Sequence, residues 1–345
     1  MKNIIVFLSV LILSASLLYA VENASSGSTK GGDLTKVGAT GAQFLKIDVG
    51  ARGAAMAGAY GSVTNDLTSI YWNCAGLADV SSVSADFSYT QWFANFSHNF
   101  VGVAIPISDG YTVALSYTGF GANNIKVTTV EKPEGTGATY NINDMSAAAT
   151  FSGYLTKQFS FGVTAKYISN SFASVASSGL AFDIGTMYDT ELYGVKLGFA
   201  IQNLGLEQKY QGQDLRTMTK MYQGFSASPI DAEYMSYTFD VPLMFRASIS
   251  SEIINSDGNY LLVAGDFLTA SDSKEQFMLG AEYTWNDLLS LRAGYRFNHD
   301  QFGFSGGIGL KYMSGSFGGR LDYSISPTYS LGLINRLSVA LNFGS

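Results

Sequence analysis

Few residues in this 345-residue chain have types or spacings suited to chemistry. The histidines, His98 and His299, are far apart, and His299-Asp300 reads as a solvated pair at a strand end. Cys74 is the only cysteine, so no disulfide can form within the chain and no Cys-based metal site can be built. Its setting, Tyr71-Trp72-Asn73-Cys74-Ala75-Gly76-Leu77, fits a small buried hydrophobe in a turn better than a redox centre. Gly303-Phe304-Ser305-Gly306-Gly307 alternates glycine with aromatics, which keeps bulk off one face of a strand and does not make a phosphate cradle. No Ser/His/Asp set has a recognisable local context. An enzyme, a cofactor and a metal are therefore not expected. What remains is a set of charges, Arg246, Glu282, Arg292, Arg296, Arg320 and Asp322, on otherwise apolar segments. Lining a pore, they could guide a solute. Paired across neighbouring strands, as Glu282 with Arg292, they would neutralise each other inside a wall.

The elements that must position these charges follow from composition and period. Hydrophobic residues make up 47% of the chain and charged residues only 14%, with 38 glycines, 21 tyrosines, 23 phenylalanines and five prolines. A soluble protein carries about 25% charged residues. Beyond the first twenty residues no apolar run is long enough for a membrane helix. Low charge, many aromatics and no helical span point to an all-β protein facing lipid. Without Lys2, 19 basic residues stand against 27 acidic ones, a net −8, which argues against nucleic acid as a partner.

Residues 1–20 have a positive start at Lys2, an apolar run from Ile4 to Leu18 and a small residue at Ala20, as in a cleavable signal peptide. Residues 21–37, rich in Ser, Gly, Asn, Lys and Asp, read as a flexible leader. Residues 38–80 differ from all that follows. Gly50, Ala54 and Gly58 are spaced four apart, which on a helix makes a groove for close backbone approach. Asn65 or Asp66 can cap a second short helix through Tyr71 and Trp72. This segment is expected to form a compact, mainly helical plug, and 81–345 a barrel.

From residue 82 the pattern has period two. Candidate strands are 82–91, 98–107, 111–120, 144–155, 158–168, 178–188, 194–203, 240–250, 260–268, 275–285, 289–298, 302–312, 316–325 and 335–343. Fourteen alternating segments of about ten residues describe an antiparallel transmembrane β-barrel. In 289–297 the apolar Leu289, Leu291, Tyr295 and Phe297 share one face, and Arg292 and Arg296 share the other. A basic side chain on the lipid face would cost about 2–4 kcal/mol at the midplane. The even-numbered connections are short and the long ones, Gly121–Asn143 and Leu204–Phe239, are odd-numbered. That asymmetry places long loops outside a bacterial outer membrane and both termini in the periplasm. In 204–239, Tyr210, Met218, Met221, Tyr222, Phe225, Tyr234 and Met235 could form an adaptable apolar binding surface.

Gln43-Phe44-Leu45-Lys46-Ile47-Asp48-Val49-Gly50-Ala51-Arg52-Gly53-Ala54-Ala55-Met56-Ala57-Gly58-Ala59-Tyr60, then Asn65-Asp66 and Tyr71 to Leu77, resembles the N-terminal signature of the PorV/PorQ family, barrels similar to the FadL fatty-acid transporters. In that family the turn usually reads Asn-Pro-Ala-Gly; here Asn73, Ala75 and Gly76 are kept and Cys74 stands in for the proline. The resemblance implies fourteen strands and an N-terminal hatch whose signature includes Gly50, Arg52, Gly58, Asn65, Asp66 and Trp72. It also implies two activities. One is receipt of cargo signal domains with other components of type IX secretion, which is the expectation preferred here. The other is passage of hydrophobic small molecules through a hatched lumen.

Overall fold

The computed structural model describes residues 38, 40–219, 230–314 and 317–344. The expected signal peptide and leader therefore lie outside the described residues, as do Met221, Tyr222 and Phe225.

Fourteen long strands form a closed antiparallel barrel. They are β1 (Val83–Gln91), β2 (Ser97–Ser108), β3 (Tyr111–Lys126), β4 (Thr139–Tyr154), β5 (Phe159–Phe172), β6 (Val175–Asp189) and β7 (Val195–Gly205). After a long connection come β8 (Met244–Ser256), β9 (Asn259–Ala270), β10 (Gln276–Trp285), β11 (Leu289–Phe297), β12 (Phe304–Ser314), β13 (Phe317–Pro327) and β14 (Leu333–Phe343). Each strand pairs with its sequence neighbours, and β1 closes the ring on β14 from Val83↔Phe343 to Gln91↔Asn335. Closure leaves no unpaired edge, which backbone in lipid requires.

Side chains alternate as the period predicts. Phe182, Phe199, Phe245, Leu279, Ile308 and Leu321 are exposed on the outer face, while Arg246, Glu282, Arg292, Arg296 and Asp322 are buried inside. Strand ends differ from expectation at the mouth carrying the long connections. Residues 121–126 and 139–143 continue β3 and β4, reducing the expected loop to 127–138, and β5 and β6 meet at Ala173-Ser174. Tyr140 against Phe172, 5.0 Å between centroids, braces this extension. At the other mouth Ser251–Asn259 is not a turn: strand pairing continues to Ser256↔Asn259. The reversal is Asp257-Gly258, both at positive φ, as a two-residue hairpin requires.

Ahead of β1 the described chain packs against the inner face of the barrel through helices of four to six residues, Gln43–Lys46, Ala51–Ala55, Ser69–Trp72 and Cys74–Asp79. Gly50 and Gly58 do not share a helix face. Gly50 sits at the N-cap of Ala51–Ala55 with φ 80°, and Gly58 lies beyond its end with φ 87°. The groove expected from their spacing is absent, because positive φ ends a right-handed helix instead of lining it.

The barrel wall thins where the plug presses on it. A Cβ at inward-facing Gly162 would lie 2.5 Å from the Cys74 carbonyl carbon, at Gly198 2.8 Å from the Gly61 carbonyl oxygen, and at Gly280 2.8 Å from Met56. These glycines let hatch backbone lie directly on strand backbone. Apolar contacts fill the rest. Phe44, Leu45 and Ile47 pack with Ile168 and Val241 near the long-loop mouth, and Leu67, Ile70, Leu77 and Val80 pack with Ala104 and Ala114 near the other. Thr40 bridges Asp240 of the long connection, so the described chain begins at the long-loop mouth, while β14 ends at the opposite one. Having run through the lumen, the hatch joins β1 from the far side.

Candidate functional site

The candidate site is the plugged lumen, and all six charges picked out from the sequence face it. Four of them join two hatch residues in a closed circuit of alternating charge. Arg52 Nη2 lies 2.7 Å from Glu282 Oε1, and Glu282 also binds Arg292, its cross-strand partner. Arg292 Nη1 lies 2.7 Å from Asp322 Oδ1, and Asp322 Oδ2 accepts from Arg320 Nε at 2.6 Å. Arg320 Nη2 then reaches Asp66 Oδ2 at 2.7 Å, and Asp66 returns to Arg52 Nη1 at 3.5 Å. Three guanidiniums and three carboxylates sum to zero. A neutral, fully paired ring is the form in which buried charge is tolerable.

The hatch side of the ring is itself fixed. Asn65 Oδ1 accepts from Arg52 Nη1 at 2.9 Å, and the Tyr60 hydroxyl donates to Asp66 at 3.0 Å. Asp66 also accepts from the Thr68 amide at 3.0 Å, which organises the turn before Ser69–Trp72. The N-cap of that helix is Thr68, not Asn65 or Asp66 as expected, and Asp66 acts two residues ahead of it. Burial alone would raise the Asp66 carboxyl, but Arg320 and Arg52 outweigh it and hold it well below the usual carboxylate range.

The other two charges hold separate parts of the hatch. Arg246 Nη1 donates to Asp266 at 2.9 Å and to the Gly58 carbonyl at 2.9 Å, with its guanidinium 5.0 Å from the Trp72 ring. Arg296 binds Asp48 at 2.7 Å and the Ala57 carbonyl at 3.0 Å. Trp72 Nε1 donates to the Val49 carbonyl at 2.9 Å. Asn73 Nδ2 donates to Gly61 and Thr186 carbonyls, and its Oδ1 accepts from the Ala75 amide at 3.2 Å, capping Cys74–Asp79. Gly76 packs against Thr64, with no room for a Cβ. These contacts make the predicted charges anchors of a plug. None of the six lines an open pore.

Cys74 is buried, and burial pushes its thiol up to about 12. His299 Nδ1 accepts from the Gln301 and Phe302 amides, which organises the loop after β11, and burial followed by Arg296 lowers it to about 4. A small interior cavity of about 30 Å³ lies between hatch and wall, lined by Phe44, Leu45, Ile47, Val49, Ile70 and His98 among others. On the long connection, Tyr210 and Tyr234 do come together. With Lys209, Arg216, Glu233 and Met235 they line an open cleft of about 520 Å³.

Sequence reasoning passed over Asp48, Asp272 and Arg336 as parts of the site. Asp272 accepts from Lys46, Gln43 and Thr40, tying down the start of the hatch. For Arg336 a signal existed: it shares strand parity with Ser338, on the face opposite Leu337, Val339 and Leu341.

No protein-family model and no curated protein sequence matches this chain. Solved structures do. The monoaromatic hydrocarbon channel CymD superposes with a TM-score of 0.59 at 13% identity, over 87% of this chain and 98% of that one. The toluene transporter TodX of P. putida gives 0.58 at 13%, over 86% and 99%. A Pseudomonas aeruginosa FadL homologue gives 0.51 at 13%, over 85% and 98%. At such identity the likeness concerns the fold. This chain is a fourteen-stranded transmembrane β-barrel with the architecture of the FadL-like proteins.

Proposed function

We propose that this protein is a FadL-like channel admitting hydrophobic small molecules across a bacterial outer membrane, with its long connections outside and its short turns in the periplasm. One observation carries the reading. The lumen is closed by a clamped hatch whose upper end is apolar: Phe44, Leu45 and Ile47 pack with Val241, Trp92 and Phe120 directly below the long-loop mouth. A water-filled pore for polar solutes needs open polar space, and here the space is filled. The structural neighbours named as hydrocarbon channels support the same reading. Since the interior cavity is only about 30 Å³, a solute passes when the 42–47 segment yields, not through a standing tunnel. Residues 1–20 serve as the export signal and 21–37 as the leader to the hatch. The outer-membrane lipid is the surrounding partner.

The experiment is uptake of toluene and octanol by cells with and without the gene. Slower uptake in the deletion strain, restored by the intact gene, is expected; equal uptake refutes the channel. A second reading, the PorV-type receiver of type IX cargo, keeps two supports: the 43–77 signature and the cleft at Tyr210, Tyr234 and Met235. It predicts that the same deletion blocks secretion of proteins with type IX signal domains. Blocked secretion with unchanged uptake would put this second reading first.

A further inference from the structure

Among the described residues the buried acids Asp183, Asp266, Asp272, Glu282 and Asp322 each lie within 4 Å of a lysine or arginine. Asp86 of β1 does not. It is 3% exposed on the inner face, and neither of its carboxylate oxygens has a hydrogen-bond partner. A buried carboxylate in this state is costly, and the closed barrel offers it nothing in return.

The register shows what lies nearby. Ala340 of β14 is opposite Asp86, and Arg320 of β13 is opposite Ala340. Two strand spacings, about 10 Å of backbone, separate Arg320 from Asp86, and the residue between them carries only a methyl group. A long arginine side chain reaching across a methyl group toward an aspartate closes such a gap. Arg320 is also the least buried arginine of the six-charge ring, with a side chain 20% exposed against 11% for Arg52 and 2% for Arg292. On the far side of Asp86, the hatch covers it: a Cβ at Gly102, the β2 residue opposite Asp86, would lie 3.1 Å from Leu67 Cδ2. Leu67 follows Asp66, the hatch acid that Arg320 holds at 2.7 Å. A movement that withdraws Asp66 therefore also withdraws the lid over Asp86.

The charges balance differently in the two positions. With the hatch seated, every member of the ring is paired and Asp86 alone is left out. Withdrawing the hatch breaks the two contacts between hatch and wall, Arg52 with Glu282 and Asp66 with Arg320. Arg52 and Asp66 leave together, already 3.5 Å apart. The wall keeps Glu282, Arg292, Asp322 and Arg320 in alternation. Arg320 has then lost one acid, and Asp86 is the next acid in its row.

We propose that Arg320 is a two-position latch: with the hatch seated it binds Asp66, and with the hatch withdrawn it turns across Ala340 to Asp86. Asp86 is the spare partner that gives the hatch a defined second position, so that opening is a change between two paired arrangements. The device does not depend on which solute passes, so its failure leaves the channel standing.

The test is hydrogen exchange of the full-length protein in nanodiscs, read over hatch residues 61–72 with the amides of β9 as control. Wild type is compared with D86N, D86E, A340V, R320Q and the double variant R320Q/D86N. D86N removes the second partner and should slow hatch exchange about tenfold or more, from the strength of a charge-assisted hydrogen bond, while β9 is unchanged. D86E keeps the charge and should exchange at least as fast as wild type. A340V leaves both charges in place and blocks the crossing, so it should slow the hatch as D86N does. In the R320Q background D86N should change nothing, because the arm that uses Asp86 is gone. Unchanged hatch exchange in D86N overturns the proposal. So does equal slowing by D86N with and without Arg320, which would mean that Asp86 acts by repelling Asp66 or by gaining water on opening. Should a charge variant not fold, A340V decides alone: hatch exchange as fast as wild type or faster overturns the latch.

Discussion

Neutralising one member of the six-charge ring should loosen the hatch far more than removing an adjacent pair. Glu282→Gln is the sharpest perturbation, since the shape is kept and only the charge goes. Glu282 serves two guanidiniums, Arg52 from the hatch and Arg292 from β11. In the variant the ring carries a net charge of +1, and its two remaining carboxylates must serve three guanidiniums in a site where Glu282 and Arg292 side chains are 3% and 2% exposed. Breaking a buried pair by removing one partner costs about 3–5 kcal/mol. Arg52 retains 11% exposure and a second acid, Asp66 at 3.5 Å, so the lower end, about 3 kcal/mol, is the expectation. The double variant Glu282→Leu with Arg292→Met leaves Arg52, Asp66, Arg320 and Asp322 as a neutral chain and should cost much less than the single change. Urea unfolding from lipid vesicles, followed by tryptophan fluorescence, measures the stabilities. Hydrogen exchange over 51–80 reports the hatch itself, and planar-bilayer conductance reports leakage past it. The reasoning fails if E282Q costs under about 1 kcal/mol, the range of an exposed pair, or if the double variant is the worse of the two.

Three further outcomes follow from the same contacts. Gly280→Val places branched bulk 2.8 Å or less from Met56, where overpacking costs about 1–3 kcal/mol; unchanged urea stability would show the hatch free of the wall there. Cys74 should resist maleimide at pH 8 in the folded barrel and react on unfolding, since a thiol raised to about 12 is thiolate in only about one molecule in ten thousand at that pH; rapid labelling of the folded protein contradicts the burial. His299, lowered to about 4 in the fold by burial and Arg296, binds fewer protons folded than unfolded, so its contribution to stability is complete above about 6.5 and declines as pH falls toward 4. The loop 298–303 should show faster amide exchange at pH 4.5 than at pH 7 after correction for intrinsic rates, and His299→Asn should flatten that difference.

Much of the barrel could be read from sequence because the forces that make it act on each segment separately. Lipid on one face and a packed lumen on the other impose period two, so Leu291 and Tyr295 face out and Arg292 and Arg296 face in on β11 whatever the other strands do. Strand number and the inward set of charges follow from that pattern alone. The extensions of β3 to β6 beyond the membrane do not. Outside lipid neither face must be apolar, and Ile125-Lys126 becomes strand only because Tyr140 and Thr139 of β4 lie beside it. That Gly50 and Gly58 flank a short helix instead of lining one escaped for a related reason: four-residue spacing of small residues is the same on a helix as on a turn, and the wall decides which. Glu282 with Arg292 was legible as neighbours on a hairpin. That Arg52 and Asp66 complete their ring was not, because they lie more than 200 positions from their wall partners, Glu282 and Arg320, and meet them only once the barrel closes around the hatch. The same holds for Asp86. Its inward face was determined by strand parity, while its place two strands from Arg320 depends on β1 pairing with β14, a fact that only the tertiary structure holds.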